Sequence, residues 1–161
     1  MNNPIHKAPS VEELKTILKR HNLTATRQRL AVHRAILKLG HASADMIAAE
    51  IQNEIENGST TRVTDASVYN ILTQMANIGI YSRRLSSNNK MYFDVNAFSH
   101  IHLYDAANNT FKDIFDDDLM EIIRTKLGKK RFRGYRVEDI DIQIVCRPSK
   151  DSARPVRRRT L

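Results

Sequence analysis

The sequence predicts an α+β chain: a helical N-terminal half closed by a β-hairpin, then a smaller unit of strands and one helix. Three observations carry this. Between residues 10 and 79 apolar residues recur at helical spacing in four segments, each opened by Ser or Thr. From residue 80 to 95 the pattern becomes two short strand-like runs around a Ser-Ser-Asn-Asn-Lys tip. Beyond residue 96 come two more strand-like runs, an acid-to-base helix and an alternating run at residues 137–146.

The elements follow in order. Ser10 and Glu13 form a capping box ahead of a helix over Val11–His21, with Val11, Leu14, Ile17 and Leu18 on one face. Thr26 caps a second helix carrying Leu30, Ile36 and Leu37, which Gly40 stops; His33 lies on that inward stripe and is expected to be a satisfied core histidine. Ser43 opens a third, to about Ile55, with Met46, Ile47 and Ile51 inward. Thr64 caps a fourth, whose stripe is Val68, Ile71, Leu72, Met75 and Ile78 and which Gly79 ends. The strands Ile80–Leu85 and Met91–Val95 then make a hairpin. Short helices followed by a hairpin is the plan of a winged helix-turn-helix, in which the last helix enters the major groove. The outer face of the fourth helix is small and polar around one aromatic, Tyr69, which suits that role.

His100–Tyr104 and Thr110–Ile114 read as strands around Asn108-Asn109. A helix runs from Asp116 to about Leu127, with its charges complementing the macrodipole. A basic loop, Gly128–Gly134, leads to a strand over Val137–Cys146 with one buried face made by Ile140, Ile142, Ile144 and Cys146. A unit this small cannot cover its own sheet, so a homodimer is expected. The expected domains are 1–95 (winged helix, DNA-binding), 96–147 (α/β, dimerisation) and 148–161 (a basic disordered tail).

Composition sets bounds. At 161 residues and 41% hydrophobic, the chain suits one ordinary domain or two small ones. No run approaches the roughly 18 apolar residues of a membrane span, and Met1–Ser10 lacks the apolar core of a secretory signal, so a cytoplasmic protein with no membrane partner is expected. One cysteine, Cys146, excludes an internal disulfide framework. The net charge of +8 points to a polyanion partner, but five arginines, one lysine and one aspartate from Arg147 onward place about +5 of it in the tail.

His100 and His102, at i and i+2 on a strand, project to one face. With Asp94 and Asp113 nearby, this donor set suits a borderline divalent ion such as Zn²⁺, Fe²⁺ or Mn²⁺. On spacing alone, a half-buried strand carrying two polar residues remains the alternative.

Several short motifs, in their order and spacing, carry a family pattern over roughly residues 10 to 147. They are Leu23-Thr24-Ala25-Thr26-Arg27-Gln28-Arg29, Ala66-Ser67-Val68-Tyr69, Gly79-Ile80, Tyr92-Phe93-Asp94 and His100-x-His102. In these the chain resembles the ferric uptake regulator family of bacterial metal- and peroxide-responsive regulators. The resemblance implies one regulatory divalent metal per subunit (Fe²⁺, Mn²⁺ or Zn²⁺) between the two domains, held by His41, Asp94, His100, His102 and Asp113. Aspartate at the last position is more like the peroxide-responsive and iron-response branches than the iron-uptake branch. The family's structural zinc uses two Cys-x-x-Cys pairs. Here Asp105 and Asn108 stand at the first pair and only Cys146 remains of the second. No structural Cys₄ zinc is expected, and the chain resembles the cysteine-poor members; Cys146 is expected to pack as a small apolar residue.

By position, Tyr69, Ser67 and Asn70 should meet base edges of a double-stranded operator, and Arg27, Lys15 and Lys19 its phosphates, with Arg83, Arg84 and Lys90 added from the wing. The expected function is a metal-responsive DNA-binding regulator, a repressor of iron, manganese or peroxide-stress genes. A haem-responsive or apo-active regulator of the same fold is the alternative, since haem binding through histidines stays open. An enzyme is not expected: a metallohydrolase needs a spare acid or base beside the histidine pair, and none stands there. A nucleoid-type basic protein driven by the tail is a third reading.

Overall fold

The computed structural model describes residues 8–149. The expected tail begins inside that range, but residues 150–161 lie outside it. Two compact units divide the chain between Phe98 and Ser99.

In the first unit, α1 (Val11–Arg20) begins at the expected capping box, with Ser10 accepting from the Glu13 amide and Glu13 accepting from the Ser10 amide. α2 (Arg27–Leu39) and α4 (Asp65–Asn77) are capped by the Thr26 and Thr64 hydroxyls. Between them comes α3 (Ala44–Glu56), preceded by Ser43; that side chain is buried and makes no capping bond. The four helices enclose a core that includes Leu14, Leu18, Val32, Ile36, Ile47, Val68 and Leu72, all 0% exposed. Each such side chain contributes roughly 1.5–3 kcal/mol by leaving water. Met46 departs from expectation: it is 37% exposed. At roughly 100° per residue it stands about 140° around α3 from Ile51, too far for one stripe. His33 is fully buried, its ring nitrogens 2.8 Å from the Tyr81 hydroxyl and 2.8 Å from the Pro9 carbonyl. Burial holds its pKa below the ordinary histidine value.

The hairpin is β2 (Ser82–Leu85) and β3 (Met91–Asp94). A strand absent from the sequence expectation, β1 (His41–Ala42), pairs antiparallel with the other edge of β3, giving the order β1-β3-β2. Gly40, at φ 72, lets the chain leave α2 and turn directly into β1. The Gly40 carbonyl then accepts from the Val95 amide at 3.3 Å.

The second unit has β4 (Ile101–Asp105), β5 (Thr110–Ile114), α5 (Asp117–Gly128) and β6 (Ile142–Cys146). β4 is central, antiparallel to β5 and parallel to β6. Asp116 caps α5 by accepting from the Leu119 amide at 2.8 Å. Ile101, Tyr104, Phe111 and Met120 make a small core. The last strand is shorter than expected, because β4 offers pairing partners only from Ile142 onward. Its alternation does not bury a face either: Ile144 is 45% exposed, Val145 59%, and Cys146 is half-buried. One helix cannot cover this sheet. Where the resemblance places a cysteine pair, Asp105 instead accepts from the Asn108 side chain at 2.7 Å and from the Ala107 amide at 2.8 Å. Those bonds, the Asn108 side chain first, hold the Asp105 carboxyl below its usual pKa.

Candidate metal centre and nucleic-acid interface

In the first unit the β1–β3 register sets His41 directly opposite Asp94. Cross-strand partners share a face of the sheet, so both side chains project the same way. His41 Nε2 lies 3.2 Å from Asp94 Oδ2, and both side chains are nearly inaccessible to water. Asp94 Oδ1 accepts from the Asn96 amide at 2.8 Å, which fixes the plane of the carboxylate. A two-residue strand has no periodicity to read, so the family resemblance could group His41 with Asp94 but only the fold shows them as cross-strand partners.

The second unit gathers the other three residues. His100, just before β4, and His102 on it share a face, and His102 stands opposite Asp113 of β5. Asp113 Oδ1 is 3.0 Å from His100 Nε2 and 3.6 Å from His102 Nε2, the first a hydrogen bond and the second too long for one. The two imidazole centroids are 4.1 Å apart. One ligand atom from each of the three residues falls within 4.8 Å of the others. Phe115 packs on the His100 ring at 5.5 Å, and the edge of Phe111 meets His102 at 6.3 Å, so carbon surrounds the donors. His102 Nδ1 has the Asp141 carboxylate 3.9 Å away. Asp141 escaped the sequence reading because its place beside His102 follows from the parallel β4–β6 pairing. At that distance the carboxylate is a charge near the ring and not a hydrogen-bond partner.

Two buried imidazoles and a half-buried carboxylate, converging, fit a divalent ion that takes nitrogen and oxygen together.

The residues expected to meet nucleic acid lie on α1, α2 and α4. Tyr69 is 49% exposed, and its ring packs edge-on against Phe93 of β3 at 6.3 Å. Asn70 is exposed beside it. Ser67 is half-buried and its Oγ accepts from the Thr64 hydroxyl at 2.9 Å, so its hydroxyl already serves the start of α4. Arg27 and Lys19 are exposed, and Lys15 pairs with Glu12 at 2.7 Å on the surface of α1. The wing departs from its expected part. Arg83 is exposed, but strand alternation turns Arg84 inward to 9% exposure. Lys90 pairs with Asp45 of α3 at 2.5 Å, which raises the lysine pKa and lowers that of the aspartate.

The sequence matches the model of the ferric uptake regulator family over residues 20–145. Three solved structures are similar in fold. The Vibrio cholerae ferric uptake regulator superposes with a TM-score of 0.65 at 20% identity, covering 84% of this chain and 99% of that one. The Pseudomonas aeruginosa ferric uptake regulator with manganese does so at 0.65 and 21%, covering 84% and 98%. The Campylobacter jejuni peroxide stress regulator reaches 0.58 at 24%, covering 85% and 97%. No curated protein matches the sequence.

Proposed function

This chain belongs to the ferric uptake regulator family, and from that premise we propose that it is a metal-responsive, DNA-binding transcriptional regulator acting as a homodimer. Residues 1–95 serve as the DNA-binding domain and residues 96–147 as the dimerisation domain. The observation that carries the proposal is that each unit holds an incomplete set of ligands. The first offers His41 and Asp94, the second His100, His102 and Asp113. Zinc takes four ligands in closed sites, so neither set suffices alone. Together they supply three neutral imidazoles and two carboxylates, whose charge offsets that of one divalent ion.

An ion shared by the two units restrains the angle between them. Its binding free energy is then released only in that arrangement, and if this is the shape that fits the operator, metal and DNA favour the same state. His100, His102 and Asp113 would bind the ion, and His41 and Asp94 would tie it to the DNA-binding unit. The ion supplies charge and a fixed coordination geometry. Affinity order at such a site favours Zn²⁺ over Fe²⁺ and Mn²⁺, so the responding metal is set by availability in the cell.

Dimer formation is supported by the exposed apolar side chains of the second unit, Leu119 and Ile122 on α5 with Ile144 and Val145 on the edge strand β6. Within this reading the protein represses iron, manganese or peroxide-defence genes. The test is His102→Ala. Operator binding should lose its dependence on added metal, with far-UV circular dichroism and thermal melting of the metal-free protein little changed. A variant that keeps full metal dependence would refute the shared-ion reading.

A further inference from the structure

The basic loop after α5 plays no part in the metal centre or in the winged helix, yet it has the chemistry of a binding surface. Between residues 122 and 137 the chain carries seven lysines and arginines and no carboxylate. All seven are exposed, and none forms an ion pair among the described residues. Unopposed cations at this density repel one another unless an anion joins them.

Two aromatics interrupt the run, as Arg131-Phe132-Arg133-Gly134-Tyr135-Arg136. Phe132 is 43% exposed and Tyr135 85%. Their placement is organised by a turn. The Phe132 carbonyl accepts from the Tyr135 amide at 2.9 Å around Gly134 at φ 82, a backbone that glycine adopts without strain. Both rings line a concavity of about 600 Å³, together with Arg124, Lys130, Arg131 and Arg133 and with the apolar Val137 and Ile140.

Arg124 lies roughly 140–160° around α5 from Leu119 and Ile122, at about 100° per residue. The basic concavity and the apolar flank proposed for the dimer are therefore on opposite sides of the helix.

From this we infer that the 124–136 segment is a single-stranded nucleic-acid-binding surface, with the cations on the phosphate backbone and Phe132 and Tyr135 stacking on unpaired bases. A duplex satisfies the cations but keeps its bases stacked internally, leaving both rings nothing to pack on. A single strand offers both partners, and aromatic stacking accepts any base. The concavity is of the size that takes a small molecule, hence an extruded base rather than a double helix.

The experiment uses the full chain and fluorescence anisotropy with a labelled twelve-nucleotide thymidine strand, alone or annealed to its complement. The double variant F132A/Y135A removes the rings and keeps every charge. It should bind the single strand at least tenfold more weakly, bind the duplex as wild type does, and keep its mass by light scattering. A second variant, R131Q/R133Q, should lower the slope of log affinity against log salt for the single strand by about 1.4. Wild-type affinity of F132A/Y135A for the single strand would overturn the inference. So would equal losses for both nucleic acids, which indicate general polyanion attraction. A change of mass would overturn it too, assigning the rings to a contact between copies, and so would an unchanged salt slope.

Discussion

The substitution His41→Ala separates metal binding from metal response. In the shared-ion arrangement, His41 is one of two side chains that connect the ion to the DNA-binding unit. Its replacement leaves His100, His102 and Asp113 on their own sheet, with His100 still 3.0 Å from Asp113. Metal should therefore still bind, with reduced affinity. The fold should tolerate the change. β1 is two residues long and its partner Ala42 stays in the core. Asp94 also keeps the Asn96 amide at 2.8 Å, so losing the His41 contact costs about 1 kcal/mol. In the wild type, coupling between two linked sites is typically 1–3 kcal/mol, so saturating metal should tighten operator binding about 5–150-fold. In His41→Ala that ratio should fall toward one, while a metal at 100 times its dissociation constant still stabilises the protein by about 2.7 kcal/mol. Titration calorimetry measures the metal, and operator anisotropy with and without metal measures the coupling. If His41→Ala binds metal and keeps the wild-type ratio, the ion does not act by joining the two units.

Tyr69→Ala should relax sequence preference at one or two base pairs, costing about 1–3 kcal/mol at each; an equal loss on every sequence would show that the ring reads no base. His33 gives an acid limit to stability. Above about pH 6.5 folded and unfolded chains both hold the neutral ring and its contribution is complete. As pH falls below that, the unfolded chain binds a proton that the buried ring resists, so stability drops. Urea melts at pH 7.5 and 5.5 should show a smaller acid loss in His33→Gln than in wild type, and equal losses would remove His33 as the cause. Ile144→Lys, on the exposed edge strand, should shift the mass in light scattering toward the monomer. Adding a chelator should not, because no Cys₄ site holds the subunits; monomers produced by chelation would contradict a dimer held by packing.

Locally governed features were legible in the sequence. Helix starts depend on a hydroxyl or carboxylate within three residues of an amide, so Ser10, Thr26, Thr64 and Asp116 could be placed by inspection. The buried stripe of α4 follows from the 3.6-residue period, and the hairpin from two strand runs about a polar tip. The wing was legible as a hairpin but not as a surface. Alternation says that Arg83 and Arg84 face opposite ways, while which one faces inward depends on what packs beneath. The last strand shows the same limit, since its alternation marks a face that is apolar without saying whether this chain covers it.

The sequence by itself determined the order of every element except β1, the family pattern and the residue types able to bind a metal, because caps, periods and motif spacing act over a few residues. Tertiary structure decided which donors meet. His41 stands opposite Asp94 only because Gly40 turns the chain onto the free edge of β3. Asp113 comes under His100 and His102 through the β4–β5 register, and Asp141 beside His102 through a parallel crossover some forty residues long. Contacts across such separations are set by strand pairing and packing, and residue types alone carry no measure of distance.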